Sequence, residues 1–304
     1  MNIKQALEYG IELLKQNNID EPILKTRMVL ANILNETKEY LMVHELEELD
    51  EDLIMVFKED ISKLCEYIPI QYITNKQEFM GLEFYVDNNV LIPQPDTEIL
   101  VEEVINICKN FNNKKLDANT VGVALLGDPQ KNIKILDLCT GSGAIGISIA
   151  KHIENCEITL SDISNEALEV ANKNSIGVGF HPDPGKKIKI IQSDLFENIK
   201  DKFDIIVSNP PYIKTEVIKT LEKEVQNEPI LALDGGQDGL DIYRRIINEA
   251  YKYLNEDGYL CLEIGYDQKE EVINLIKETG KYTNIYSKKD LADNDRIVIC
   301  KKEN

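Results

Sequence analysis

The sequence predicts an α/β protein in which a small helical bundle precedes a mostly parallel sheet with helices on both faces. From Ile133 onward, short apolar runs alternate with helical stretches, and this alternation is typical of a parallel sheet covered by helices. Residues 1–75 instead repeat apolar residues at the three- and four-residue spacings of amphipathic helices. The last two β-type runs, YTNIYSKKD and DRIVICKK, flank a turn and predict a terminal antiparallel pair.

The N-terminal part is predicted to be a domain of several helices over residues 1–75. Apolar residues from Ile3 to Leu14 form one helical stripe, and apolar repeats recur from Leu41 to Tyr67. Pro22 suits the first position of a second helix, where its missing N–H group is not needed. No chemical motif lies in this segment, so we expect it to dock a substrate.

Residues 76–93 are predicted to form a β-hairpin linker to a second domain over residues 94–304. Two β-type runs in EFMGLEFYVDNNVLI are separated by Asp87-Asn88-Asn89, which has the composition of a hairpin turn. A helix is expected from about Thr97 to Lys109, and the polar stretch 110–132 is expected to form a surface insertion. The strands of the second domain are expected at IKILDL, EITLSD, KIKIIQS, FDIIVSN and YLCLEIG.

Composition and charge restrict the classes of function. The chain has 304 residues, 43% hydrophobic and 29% charged, and a formal net charge of −20. A surface so negative disfavours a nucleic-acid partner, whose phosphates are held mainly by Lys and Arg. The N-terminus lacks the apolar core of a secretion signal, and no apolar run is long enough to span a membrane, so we expect a cytoplasmic protein. We also expect a monomer. Six scattered cysteines without a CxxC pair and three scattered histidines predict reduced thiols and no metal site.

A glycine-rich loop follows the strand IKILDL. Cys139-Thr140-Gly141-Ser142-Gly143 leads to Gly146 and so satisfies GxGxxG between a strand and a helix. Glycines let a ligand approach the backbone, and the helix N-terminus offers free N–H groups. NAD, FAD and S-adenosyl-L-methionine (SAM) all use such a turn, so the loop alone does not identify the cofactor.

Two acidic residues narrow this choice. Asp137 ends the strand before the glycines, where a carboxylate suits the amino group of a methionine moiety and repels a pyrophosphate. Asp162 ends the next strand, where α/β folds hydrogen-bond the ribose hydroxyls that NAD and SAM share. We therefore predict a SAM site.

The strongest motif is Asn209-Pro210-Pro211-Tyr212, directly after the apolar strand FDIIVS. Open α/β sheets bind ligands beyond the carboxyl ends of their strands. The Asn209 side-chain oxygen and the Pro210 carbonyl are two acceptors that can take both hydrogens of a planar NH₂ group. Tyr212 offers an aromatic face to that group, while Asn209 is also expected near the cofactor. These residues predict methylation of an amide or amine nitrogen.

With these motifs the chain resembles the Asn-Pro-Pro-Tyr amino-methyltransferases, most closely the HemK-type enzymes that methylate the glutamine of class-1 peptide chain release factors. The similarity extends to GLEFYVDNNVLIPQPDTE, EPILALDGGQDGLDIYR, EIGYDQ and DLADNDRIV. It implies a Rossmann-like SAM-dependent methyltransferase domain that receives the glutamine of a Gly-Gly-Gln motif, and a helical domain that grips the release factor.

The resemblance also implies roles for individual residues. Cys139 to Gly143 and Asp162 would bind SAM, Asp194 and Leu195 would border its adenine, and the segment Asn209 to Tyr212 would hold the glutamine amide. The family usually has Gly at Cys139, Arg-Pro-Glu at Gln94-Pro95-Asp96, and often Trp at Leu195. The insertions near 112–132 and 178–186 have no assigned role.

Three other functions fit parts of the sequence. A DNA or RNA methyltransferase of adenine or guanine would present a similar NH₂ group to Asn209, but it should show a basic stripe or a target-reading domain. A non-catalytic binding module of the same fold would have no need of an intact acceptor tetrapeptide. An NAD-dependent dehydrogenase would lack a residue to assist hydride transfer.

Overall fold

The computed structural model describes residues 1–118, 132–178 and 186–303, and its described residues divide into two compact units. The first contains Met1–Lys76, Val86–Asn88 and Leu221–Glu228, and the second contains the described parts of Gln77–Tyr85, Asn89–Thr220 and Pro229–Asn304. The chain therefore leaves the second unit twice for the first. The domain limits 1–75, 76–93 and 94–304 remain predictions. The sequence analysis did not predict that Val86–Asn88 and Leu221–Glu228 belong to the first unit.

The first unit is helical. Its N-terminal helices are α1 (Ile3–Gln16), α2 (Pro22–Leu34), α3 (Lys38–Val43), α4 (Glu51–Cys65) and α5 (Ile70–Thr74). Asn2 caps α1 with its side chain, and Pro22 occupies the first turn of α2 as the sequence predicted. Fully buried side chains such as Leu30, Phe57 and Ile61 form the core of this unit.

The segment Leu221–Glu228 is bound to the helices of this unit by side chains. The Lys25 ammonium is 2.5 Å from a carboxylate oxygen of Glu224, and the Lys25 side chain is only 7% exposed. The Asn227 amide donates to the carbonyl of Tyr67 at 2.9 Å, and the Lys223 ammonium lies 4.1 Å from the centre of the Tyr67 ring. A buried charge needs such a partner, so Glu224 helps to keep this segment in place.

The hairpin is present, but its predicted turn was wrong. Strands β1 (Gln77–Phe79) and β2 (Leu82–Phe84) pair antiparallel around Met80 and Gly81, whereas Asp87-Asn88-Asn89 lies beyond both strands. Met80 and Gly81 both have positive φ, +53° and +70°, as hairpin turns of two residues require. The Met80 N–H group donates to the Glu98 carboxylate at 2.6 Å, so a distant residue stabilises this turn.

The second unit is built on a seven-stranded sheet. Its strands are β3 (Ile133–Leu138), β4 (Cys156–Asp162), β5 (Lys186–Gln192), β6 (Phe203–Ser208), β7 (Leu254–Glu263), β8 (Tyr282–Lys289) and β9 (Asp295–Lys302). The order is β5-β4-β3-β6-β7-β9-β8. The first five in this order are parallel, and β9 and β8 join antiparallel. The mostly parallel sheet with its terminal antiparallel pair is confirmed.

Helices accompany the sheet. After a 3₁₀ turn at Pro95–Thr97 come α6 (Glu98–Ala118), α7 (Ala144–His152), α8 (Asn165–Gly177), α9 (Thr215–Ile218), α10 (Lys223–Gln226), α11 (Ile230–Leu233), α12 (Asp241–Tyr253) and α13 (Lys269–Thr279); α10 belongs to the segment bound to the helical unit. Two buried clusters form the core of the second unit, one containing residues of α6 and α7 and the other residues of α12 and α13.

The helix predicted to end near Lys109 continues to Ala118, so the stretch 110–118 is helical and not an irregular insertion. Residues 119–131 and 179–185, which make up most of the two expected insertions, lie outside the described residues. Within the described ranges, no helix is both long and apolar enough to cross a membrane. All six cysteines are free thiols, as expected.

The topology determines where a ligand site can form. Strands β3 and β6 are neighbours, and the chain runs outward from this pair in both directions. Open α/β sheets bind ligands at such a switch point, beyond the carboxyl ends of the strands. Asp137, Asp162, Asn209 and Glu263 all lie at or just beyond that edge, on four adjacent strands.

Candidate methyl-transfer site

The loop after β3 is a tight turn in the left-handed region of backbone space. Cys139, Gly141 and Gly143 have φ of +56°, +52° and +81°. The Thr140 N–H group donates to the Ser161 carbonyl at 3.0 Å, and the Gly143 N–H group to the Thr140 carbonyl at 2.8 Å. Cys139 is thus a non-glycine residue at a position that favours glycine.

The glycines have different roles. A Cβ atom added to Gly141 would meet no atom within 4 Å, whereas one on Gly143 would lie 2.7 Å from Ile147 and one on Gly146 2.3 Å from Leu160. Gly146 therefore permits close packing of α7 on β4, whereas Gly143 leaves room for the Ile147 side chain of α7 itself. Gly141 faces open space, which makes it the glycine of this loop that a ligand can approach.

Asp137 is fully buried and holds the loop through one oxygen only. Its Oδ2 atom accepts hydrogen bonds from the Thr140 hydroxyl at 2.6 Å and from the Gly146 N–H group at 2.9 Å. Its Oδ1 atom is buried and has no hydrogen-bond partner among the described residues. Burial raises the pKa of Asp137 from 3.8 to about 7, and the Asp162 charge adds to this effect. A cation beside Oδ1 would satisfy this oxygen and stabilise the charge.

Asp162 accepts hydrogen bonds from the backbone of two loops, the glycine loop after β3 and the loop after β4. One carboxylate oxygen accepts from the Gly141 N–H group at 2.9 Å and the other from the Ser164 N–H group at 3.0 Å. Burial raises its pKa, and these backbone hydrogen bonds oppose that rise. The carboxylate has four lone pairs, and the N–H groups of Gly141, Ser164 and Ile163 use three of them. One stays available for the predicted bond to a ribose hydroxyl.

The residues expected at the adenine lie after β5. Leu195 is buried with φ of +50°, and its carbonyl accepts from the Ser193 hydroxyl at 2.8 Å. Asp194 forms an ion pair with Arg245, whose Nη2 atom is 2.8 Å from Oδ1. No sequence pattern indicated this pairing, which leaves one carboxylate oxygen of Asp194 outside the ion pair.

Asn174 supports the glycine loop from behind. This buried side chain donates to the carbonyls of Ser142 and Tyr85, both at 2.9 Å, and accepts from the Tyr85 N–H group at 2.7 Å. Its amide therefore satisfies three backbone groups at once. It ties Ser142 and the end of the β1–β2 hairpin to helix α8.

Asn209 follows β6, and its amide NH₂ group is directed toward two oxygen-bearing side chains. The Nδ2 atom is 3.4 Å from the Thr97 hydroxyl, and both Asn209 and Thr97 donate to the carboxyl group of Glu263. Pro210 is buried, while Asn209 and Pro211 are half-buried. With the NH₂ side engaged, the Oδ1 atom is the part of Asn209 left to accept a hydrogen bond from a ligand.

The backbone of Tyr212 is held by two segments from later in the chain. The Gln268 amide donates to the Tyr212 carbonyl at 3.0 Å and to the Gly239 carbonyl at 3.2 Å. A Cβ atom on Gly235 would lie 2.7 Å from the Tyr212 Cα atom, and one on Gly239 would lie 2.4 Å from the Tyr212 carbonyl oxygen. These two glycines allow the segment between them to pack closely against the backbone of Tyr212.

The Tyr212 hydroxyl meets a cluster of charges. Arg296 donates a hydrogen bond to it, and burial raises the Tyr212 pKa. The Arg296 guanidinium also lies 2.9 Å from Asp290 and 3.1 Å from Asp96. Hydrogen bonds from the Asn294 backbone and from Arg296 lower the pKa of Asp290 to about 2. The Tyr212 hydroxyl therefore lies beside a guanidinium whose charge is balanced by two carboxylates.

The predicted residues thus fall into two groups at one edge of the sheet. The glycine loop, Asp137 and Asp162 form the first, and the tetrapeptide Asn209 to Tyr212 forms the second. Glu263, Thr97, Gln268 and Arg296 had no predicted role. One signal was available for Glu263, because it lies at the carboxyl end of a buried apolar strand, within one residue of the last position, as Asp137 and Asp162 do.

The residues present fit a cationic nucleoside cofactor. The unpaired Oδ1 atom of Asp137 suits an ammonium group, and the open face of Gly141 leaves room for a ligand against the backbone. Among the described residues, no group of three or more His, Cys, Asp or Glu side chains is arranged to hold a metal ion.

Comparison with known proteins gives consistent matches. A family model described as the methyltransferase small domain matches residues 103–225, and one described as the PrmC N-terminal domain matches residues 5–74. A release factor glutamine methyltransferase from Clostridium acetobutylicum is 39% identical, over 99% of this chain and 98% of that protein. One from Clostridium botulinum is 36% identical, over 99% of this chain and all of that protein.

Solved structures share the fold. The hMettl16 catalytic domain, in complex with MAT2A 3'UTR hairpin 6, aligns with a TM-score of 0.55 over 79% of this chain and 82% of that chain. Its sequence identity is 12%, so this likeness concerns the fold alone.

Proposed function

The chain belongs to the release factor glutamine methyltransferase family, and on that basis we propose that it methylates the glutamine of the Gly-Gly-Gln motif in class-1 peptide chain release factors. The methyl group comes from S-adenosyl-L-methionine and is transferred to the side-chain amide nitrogen. A net charge of −20 favours such a protein acceptor over a nucleic acid.

The observation that supports this function best is the orientation of Asn209. Its NH₂ group is engaged by Thr97 and Glu263, which leaves Oδ1 as an acceptor at the carboxyl edge of the sheet. The Pro210 carbonyl is the second acceptor, in a backbone stiffened by Pro211. Two fixed acceptors suit the two hydrogens of a primary amide.

The glycine loop, the two aspartates beside it and the residues after β5 are proposed to bind SAM. Asp137 binds the amino group of the methionine moiety, Asp162 binds the ribose hydroxyls, and Asp194 and Leu195 border the adenine. Cys139 to Gly143 provide the backbone against which the ligand lies. When bound, SAM supplies an electrophilic methyl group attached to a positively charged sulfur.

The chain's own residues then act on the acceptor by positioning. Hydrogen bonds to Asn209 and Pro210 fix both hydrogens of the amide, so that the nitrogen presents its electron density to the methyl carbon. The methyl group replaces one of these hydrogens, which leaves as a proton to water, so one hydrogen bond to the enzyme is lost in the product. Tyr212, held by Gln268 and Arg296, supplies a rigid aromatic wall.

The helical unit is proposed to dock the release factor. A single glutamine side chain offers too little surface for selectivity, so further contacts are needed. This unit exposes Met42, Val43 and Leu46 by 64%, 78% and 73%, and a cavity of about 460 Å³ lies between the start of α2 and α3. Exposed apolar side chains of this kind are typical of protein-binding surfaces.

The test is methylation of a purified class-1 release factor with isotopically labelled SAM. Mass spectrometry should place the label on the glutamine of the Gly-Gly-Gln motif. Label on a nucleic acid, or no label on the release factor, would contradict the proposal.

Asn209→Ala is the matched variant for this experiment. It should lower kcat by about a hundredfold or more, equivalent to roughly 2.7–4 kcal/mol of transition-state stabilisation, because one fixed acceptor is lost. The measurement requires saturating SAM, because Asn209 is also expected near the cofactor and its loss should weaken SAM binding. A near-normal kcat with an unchanged melting temperature would remove Asn209 from the acceptor site.

A further inference from the structure

Glu263 is a buried acidic residue at the acceptor side of the sheet. It ends β7, and the preceding Leu262 pairs with Ser208, which precedes Asn209 on β6. The register therefore places Glu263 beside Asn209. Its side chain is only 2% exposed, and its backbone carbonyl accepts from the buried Tyr243 hydroxyl at 2.7 Å.

The two oxygens of Glu263 have different surroundings. The carboxyl group accepts hydrogen bonds from Thr97 and Asn209, while Oε2 is buried without a hydrogen-bond partner among the described residues. The hydrogen-bonded oxygen is therefore Oε1. Only the NH₂ side of Asn209 can donate, so this contact selects one of the two flips of its amide.

We infer that Glu263 is a positioning residue, which fixes the Asn209 amide with Oδ1 available to the acceptor glutamine. This inference rests on the proposed function for its kinetic consequence but not for its geometry. Thr97 assists, because its hydroxyl lies on the same side of Asn209 and donates to the same carboxyl group.

A carboxyl group suits this task better than an amide. A glutamine could offer either an oxygen to Nδ2 or an NH₂ group to Oδ1, and would permit both flips of Asn209. Burial raises the pKa of Glu263 to about 7, so both protonation states occur near neutral pH. The ionised carboxyl group can only accept and so fixes the orientation of Asn209, whereas a proton adds a donor, as a glutamine side chain would.

Other charged groups near Glu263 do not replace it. The charge of Arg296 lowers the pKa of Glu263 and that of Asp96 raises it. Arg296 is itself engaged by Asp290 and Asp96, and it donates to the Tyr212 hydroxyl. Within the described part of the chain, the Asn209 amide donates to Thr97 and Glu263 and to none of these groups.

The test replaces Glu263 by Gln, which keeps its size. With saturating SAM and release factor, we expect Glu263→Gln to lower kcat by about tenfold or more, since a misplaced orienting group costs up to about a hundredfold. KM for the release factor should stay within about twofold of the wild-type value. In an Asn209→Ala background the same change should have no further effect on kcat, because its effect acts through Asn209.

The matched control is Glu103→Gln. Glu103 is also a buried carboxylate, and its partners are the Tyr286 hydroxyl at 2.7 Å and Lys288. It should keep wild-type kcat. Equal losses in both variants, or an additive loss in the Asn209→Ala background, would overturn the inference. If Glu263→Gln does not fold, Glu263→Asp replaces it, because the shorter side chain keeps a carboxyl group but withdraws it from Asn209, and an unchanged kcat there would overturn the inference as well.

A second readout does not depend on turnover. In protein labelled with ¹⁵N-asparagine and free of ligand, the side-chain signals of Asn209 are those missing in Asn209→Ala. Glu263→Gln should shift or split them, whereas Glu103→Gln should leave them in place. Unshifted signals in Glu263→Gln would contradict the inference. A wild-type enzyme that does not methylate the release factor would refute the proposed function and leave this arm decisive for Glu263.

Discussion

Replacing Asp137 by Asn should change folding stability and cofactor affinity in opposite directions. Asp137 is fully buried, and only its Oδ2 atom is hydrogen-bonded, to Thr140 and to the backbone of Gly146. Asn has the same shape, and its single oxygen can accept both of these hydrogen bonds. Its NH₂ group then takes the place of Oδ1, which has no partner among the described residues.

The magnitude follows from the pKa of Asp137. Burial raises it from 3.8 to about 7, so the folded protein holds this proton more tightly than the unfolded chain does. The contribution to stability is therefore complete below about pH 4 and is lost as pH rises to about 7. At about 1.36 kcal/mol per pKa unit the loss is roughly 2 kcal/mol at pH 5.5 and roughly 4 kcal/mol at pH 8.5.

The Asp137→Asn variant avoids this loss but buries an unpaired NH₂ group, at a cost of about 1–3 kcal/mol at every pH. Relative to wild type, its free energy of unfolding should therefore rise by roughly 2 kcal/mol between pH 5.5 and pH 8.5. At pH 8.5 the variant should be the more stable protein. Its affinity for SAM should fall by about 1–3 kcal/mol, because a charge-assisted hydrogen bond to the amino group is lost.

Urea denaturation of both proteins without ligand, at these two pH values, checks the stability difference, and calorimetry with SAM checks the affinity. Other titrating groups are common to both proteins and largely cancel in the comparison. A stability difference that is the same at both pH values would refute the reasoning about the buried charge. Unchanged SAM binding would separate Asp137 from the cofactor site.

Two more changes test the cofactor loop. Cys139→Gly should change the free energy of unfolding by less than about 1 kcal/mol and keep or tighten SAM binding, because relief of positive φ offsets the greater freedom of the unfolded chain; a large loss of affinity in calorimetry would show that the loop is misplaced. Asp162→Ala should weaken SAM binding by about 1–3 kcal/mol and also lower the melting temperature, since Gly141 and Ser164 lose their acceptor; an unchanged dissociation constant would remove Asp162 from the site.

The sequence was sufficient to locate most strands of the second unit. Strands β3 and β9 begin and end where their apolar runs do, because turn or polar residues bound those runs on both sides. The hairpin turn was misplaced for the opposite reason. Asp87-Asn88-Asn89 has the stronger local turn signal, but the turn at Met80 is stabilised by Glu98, which lies eighteen residues later in the chain.

The candidate site was predictable only where a single segment supplies it. The glycine loop and Asn209 to Tyr212 are continuous in sequence, and their chemistry can be recognised from residue types and order. The partners that orient them are distant: Thr97 lies 112 residues before Asn209, and Gln268 lies 56 residues after Tyr212. No periodicity relates such pairs, so only the folded chain brings them together.

Three acidic residues at the carboxyl edge of the sheet show that residue type alone does not determine the role of a side chain. Asp162 and Glu263 are the last residues of β4 and β7, and Asp137 is the last but one of β3. Burial raises the pKa of all three. Asp162 binds backbone N–H groups with both oxygens, whereas Asp137 and Glu263 each bury one oxygen that has no hydrogen-bond partner among the described residues. Asp137 and Glu263 differ in the charge of the groups beside them.

The charge of Arg296 lowers the pKa of Glu263, whereas the charge that acts on Asp137 is that of another carboxylate, Asp162, and raises its pKa. Glu263 therefore already has a cation nearby, and the task proposed for it is to orient the side chain of Asn209. Asp137 has no such compensation, so a cationic ligand beside its free oxygen gains the most from its charge. By this criterion Asp137 is the residue whose charge should matter most for SAM affinity, and Glu263 the one whose effect should appear in kcat.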